Sequence, residues 1–102
     1  MEKNYEHITE MENIMTHQED TIQSLEDFLN TLDTQMDDYK KLVVYYYSQQ
    51  RDQDLDDDAK HLIPEDLKRG VLSEDGVYNM FLDTHDVAIH MMETALKLLK
   101  LT

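Results

Sequence analysis

From Ile8 onward apolar residues recur at alternating spacings of three and four, and no Gly or Pro interrupts them before Pro64. One set is Ile8, Met15, Ile22, Leu29, Met36 and Val43. The other is Met11, Leu25, Leu32, Tyr39 and Tyr46, with Gln18 as its one polar interruption. A period of 3.5 residues held over this length is the mark of a helical seam. With 102 residues, 2 Gly, 1 Pro and few strand formers outside one cluster, the fold class expected is all-α.

A third column, Ile14, Phe28 and Leu42, widens the face, while the opposite flank carries Glu12, Glu19, Glu26 and Asp33. A parallel two-stranded coil would set those acids against Ile, Thr and Phe rather than against Lys. The broad face therefore argues for packing on more than one helix. One long helix over residues 3–50 is expected. Asn30, Thr31, Asp33 and Thr34 prefer caps, so a break near residue 32 would give a compact three-helix bundle instead. Residues 42–47, Leu-Val-Val-Tyr-Tyr-Tyr, mark where the helix is covered on several sides, with tyrosine hydroxyls seeking partners in the following loop.

Residues 51–72 read as an acidic connector with a short turn at 64–69. Pro64 opens that turn, Lys68 and Arg69 sit at its negative end, and Gly70 stops it in the left-handed conformation. Ser73 is the expected N-cap of a last helix over 73–99, with Glu74 and Asp75 in its first turn and Gly76 weakening it slightly. Val77, Phe81, Ala88, Met91, Ala95 and Leu98 form one apolar stripe. Tyr78, Ile89, Met92, Leu96 and Leu99 form its neighbour. The architecture expected is a single domain in which the long helix packs antiparallel on the last one as a helical hairpin. The last helix covers roughly 40 Å at about 1.5 Å per residue, so about half of the seam stays bare. A homodimer that covers it follows as an expectation.

Tyr46-Tyr47-Ser48, the acidic stretch, Leu67 to Asp75 and Val77-Tyr78-Asn79 together resemble domain-of-unknown-function family 4298 of small bacterial proteins. The likeness spans roughly residues 5–95, and only 62–79 is specific. It implies a small helical bacterial protein and transfers no catalytic residue. Three positions depart from the pattern. Arg51 stands in place of an aromatic residue, Gly76 in place of Ala, and no glycine precedes Leu62.

Acidic residues number 23 against 9 basic, a formal charge of −14. Such a surface disfavours direct nucleic-acid binding and suits a basic protein partner. No Cys is present, which fits a reducing cytoplasm. The first residues lack a secretory pattern, and no apolar run reaches the ~20 residues of a membrane span. Asp52, Asp54 and Asp56 alternate as in a calcium loop, but Asp57 and Ile63 hold the positions that need Gly and Glu. Asp54, Asp57 and Asp58 remain as metal candidates against a solvated acidic connector. Asp86, His90 and Glu93 share a helix face without the paired motif of a di-iron bundle.

Lys68, Arg69, Gly70, Ser73, Glu74, Asp75 and Tyr78 form the candidate partner-binding or structural motif. No His lies close in sequence to activate Ser73, so no catalytic residue and no cofactor is assigned. The function expected is a non-catalytic interaction module, an adaptor or regulator. The alternative is an acidic inhibitor that mimics nucleic acid on a basic partner. A cation-dependent protein comes third.

Overall fold

The computed structural model describes residues 3–102. Among them are three helices, α1 (Glu6–Tyr46), α2 (Gln49–Ala59) and α3 (Gly76–Leu101), one 3-10 turn at Gly70–Leu72, and no strand. The all-α class stands. The chain divides into two units, Met1–Lys41 and Leu42–Thr102, and α1 runs from the first into the second.

The first unit is helix almost throughout. Asn4 Oδ1 accepts from the Glu6 backbone N at 2.8 Å and satisfies one of the free N–H groups at the helix start. No break occurs near residue 32. The Thr31 hydroxyl donates to the Asp27 carbonyl at 3.1 Å and the Thr34 hydroxyl to the Asn30 carbonyl at 2.8 Å. Bonding four residues back spends these hydroxyls inside the helix, so they do not compete to end it. Every large apolar side chain of the seam from Ile8 to Met36 is exposed, from Leu32 at 38 % to Phe28 at 74 %.

The second unit begins as α1 ends. The first helix stops at Tyr46, not at residue 50, because Ser48 caps a new helix. Its backbone is extended, its hydroxyl donates to the Tyr45 carbonyl at 2.6 Å, and its oxygen accepts from the Arg51 N at 3.2 Å. The acidic stretch expected as the start of a connector is therefore helical. Its polar residues pair across one turn: Gln50 with Asp54 at 2.8 Å, Gln53 with Asp57 at 3.0 Å, Lys60 with Asp56 at 2.8 Å. What reads as a charge run is a surface ladder of i,i+4 contacts.

The end of α2 supplies the left-handed residue, and it is not Gly70. His61 N donates to the Asp58 carbonyl at 3.1 Å, and Leu62 N to the Asp57 carbonyl at 3.0 Å. This is the Schellman pattern, and His61 holds it with φ at 58°. Neither glycine has a positive φ. Gly70 instead opens the 3-10 turn, in which Leu72 N donates to the Arg69 carbonyl at 2.9 Å. The expected turn at Pro64 is present as a single turn, with Leu67 N on the Pro64 carbonyl at 3.1 Å.

Although the N-cap position of α3 is Asp75, and neither Glu74 nor Asp75 lies in the first turn where both were expected, the capping side chain comes from Ser73. Its oxygen accepts from Gly76 N at 3.0 Å while its hydroxyl donates to the Gly70 carbonyl at 2.8 Å. Regular helix starts at Gly76 and runs to Leu101, two residues past the expected end. A Cβ on residue 76 would collide with the Ser73 hydroxyl and lie 3.0 Å from the Gly70 carbonyl, so the cap itself asks for glycine there. Val77 is the one buried side chain among the described residues, 5 % exposed. Phe81 meets Tyr46 edge to face with ring centres 5.2 Å apart.

A left-handed backbone costs a residue with a Cβ about 1–2 kcal/mol that glycine does not lose. His61→Gly should therefore raise the stability of the second unit by about 1 kcal/mol, read by urea denaturation followed by circular dichroism. A loss of stability would mean that the imidazole makes a contact worth more than the strain.

Candidate functional site

The distinctive segment 62–79 is fastened to α2 at two points. The first is Arg51, whose guanidinium carbon lies 4.5 Å above the Tyr46 ring centre. From there Nε donates to the Val71 carbonyl at 3.1 Å, and Nη2 makes a longer bond to the Ser73 carbonyl at 3.5 Å. One flat cation thus joins the end of α1 to the turn that starts α3. The second point is the ion pair of Arg69 with Asp58 at 2.8 Å, about a third exposed on both sides.

Below these lies the Tyr45–Asp54 bond. The phenol donates to Asp54 Oδ2 at 2.6 Å, across the turn between α1 and α2. Partial burial first, and the bond to Asp54 second, push the Tyr45 phenol up to about 12. The same bond, with one from Gln50, holds the Asp54 carboxyl below its ordinary value. The expectation that the tyrosine hydroxyls find partners past residue 47 is met here, on a helix rather than a loop.

The seven motif residues divide into two groups. Arg69, Gly70 and Ser73 are structural: an ion pair, a carbonyl that accepts the Ser73 hydroxyl, and a helix cap. Lys68, Glu74, Asp75 and Tyr78 are exposed, and Asp75 makes no side-chain cap bond. Lys68 stands at the rim of an open, mostly apolar cleft of about 510 Å³ floored by Leu42, Val71, Val77 and Met80. A second, more polar opening of about 440 Å³ has Asp58, His61, Glu65 and Arg69 at its walls.

The metal candidates are engaged elsewhere. Asp54 accepts from Tyr45 and Gln50, Asp57 from Gln53, and Asp58 from Arg69. Among the described residues no three His, Asp or Glu side chains are placed to share an ion, Asp86, His90 and Glu93 included. No helix among them is long and apolar enough to cross a membrane.

Two groups central to this geometry were not legible as such. Arg51 stood out only as a departure from an aromatic residue. Its guanidinium stacks on the Tyr46 ring. His61 stands one residue before Leu62, in the stretch where the family pattern implies a glycine.

A family model described as Domain of unknown function (DUF4298) matches residues 8–94. The chain belongs to this family. The match takes in the heptad from Ile8, all of α2, the 62–79 segment and most of α3. No curated protein and no solved structure matches the chain.

Arg51→Ala should cost about 1–2 kcal/mol in urea denaturation, since it removes a stacked cation and its charge-assisted bonds. Faster amide exchange at Gly70–Ser73 should accompany it. Lys at position 51 should not restore it, because an ammonium has no planar fork to offer both ring and carbonyls.

The Tyr45–Asp54 bond sets a pH window. Tyr45 is raised, so its contribution is whole below pH 10.0 and is lost as pH climbs toward about 12. Asp54 is lowered, so its contribution is whole above 3.8 and is lost as pH falls through the depressed value. In Tyr45→Phe the latest step of the tyrosine absorbance titration should vanish. The Asp54 carboxyl should also return upward toward its ordinary value by NMR.

Proposed function

We propose that this protein is a non-catalytic protein–protein interaction module, an adaptor or regulator of a bacterial cytoplasm. The observation that carries this reading is the apolar heptad face of α1. Ten large apolar side chains from Ile8 to Met36 stand exposed on a single helix. A helix cannot bury its own stripe, and stripes of this kind draw their stability from a second surface. The polar residues that invite an enzyme reading have structural occupations instead: Ser73 caps α3 and Arg69 holds Asp58.

A second reading, an acidic inhibitor that mimics nucleic acid, is favoured by the run of acids along α1. Displacement of a DNA duplex from the captured partner would mark that case.

Affinity capture from a lysate of the source cell tests the module reading. One partner in near-equal amount is expected. Lys68→Glu/Tyr78→Ser and Ile22→Gln/Leu29→Gln variants then map it to the exposed residues of the 68–78 motif or to the heptad face. A protein that captures nothing and instead turns over a small molecule defeats the reading.

A further inference from the structure

We propose that the heptad face of α1 docks an amphipathic helix of another protein whose flanking positions carry Lys or Arg. The inference rests on the interaction-module reading and specifies the partner's chemistry.

Two observations on the same helix carry it. The first is the exposed seam, broken only by Gln18. The second is its charge. Between Lys3 and Lys40 the sequence has ten acids and no Lys or Arg. Four of the acids, Glu12, Glu19, Glu26 and Asp33, recur every seven residues and border the seam along one edge. Residues bordering a heptad seam are those that meet the partner's flank and select it.

A second copy of this chain is a poor match for that edge. Laid antiparallel, it would set the acid column against the same acid column. Laid parallel, it would press the carboxylates onto Ile14, Thr21 and Phe28, where they lose water and gain no countercharge. A helix with an apolar stripe of the same period and a basic border satisfies both features at once. The stripe supplies the burial, and the border supplies register, orientation and a salt-sensitive association rate.

Three synthetic peptides test this against the full-length protein by calorimetry. They share one apolar heptad and carry Lys at the flanking positions, carry Glu there, or carry Lys with the apolar order scrambled. The Lys peptide should bind one to one and weaken about tenfold or more as salt rises from about 0.05 to about 0.5 M. The Glu and scrambled peptides should not bind. Ile22→Gln/Leu29→Gln should abolish binding while circular dichroism shows the helix kept. Glu19→Gln/Glu26→Gln should weaken binding and flatten its salt dependence.

Several outcomes overturn the proposal. Equal binding of the Lys and Glu peptides would make the acids irrelevant. Binding that survives the Gln substitutions would reduce the effect to bulk charge. Self-association by sedimentation that is lost in the Gln variant would assign the seam to a second copy. Absence of binding by all three peptides would mean that the seam is not open to a partner. A cellular partner captured equally by wild type and by the Gln variant would leave the module reading intact and remove this one.

Discussion

The second unit depends on one guanidinium. Arg51 lies on the Tyr46 face and reaches the carbonyls of Val71 and Ser73. Without it the 70–73 turn would be tied to α2 only through the neighbouring Arg69–Asp58 pair, since Val77 is the one buried apolar side chain nearby. Everything that defines the start of α3 lies downstream of that turn. The Ser73 cap needs the Gly70 carbonyl in place, and Gly76 has to be small because the cap sits where a Cβ would go. A cation that offers one flat face and several donors can serve a ring and a backbone together.

The two units reach order by different means. In the second, polar groups are matched to one another with little burial: hydroxyl to carbonyl at Ser48 and Ser73, phenol to carboxylate at Tyr45, guanidinium to carboxylate at Arg69. Each is modest, and exposed pairs among them are worth little alone. In the first, the helix runs without a break and its apolar face is left over. That contrast separates a part whose polar residues are busy with structure from a part whose large apolar residues stand exposed.

Much of this was legible in the sequence, and the misses have physical causes. The long helix could be read because its period holds from Ile8 to Tyr46 across Gln18, and the Ser73 cap because a serine with two acids behind it opens the last apolar stripe. The helical nature of residues 49–59 could not. Composition records Gln, Asp and Lys there as polar, and only their i,i+4 order separates a helix surface from a loop. Ser48 was the available signal, being a cap followed by a donor three residues on. The left-handed position was placed on Gly70 because glycine tolerates it best, yet the Schellman closure fell on His61. Chain length after the Asp57 and Asp58 carbonyls decided the matter over residue type. Of the motif around residues 68–78, the cap and the turn could be foreseen. The Arg69–Asp58 pair could not, since eleven residues of intervening chain give no period to read.

The stretch without Lys or Arg between Lys3 and Lys40 has a consequence for digestion. A protease that cuts after Lys or Arg finds no bond to cleave there, whether that part of α1 is helical, frayed or clasped by another molecule. A protease that cuts after Glu meets Glu12, Glu19 and Glu26 along the edge of the seam and can act only where the backbone opens. The first enzyme therefore releases this stretch of α1 as one piece, and the second reports whether anything is holding it.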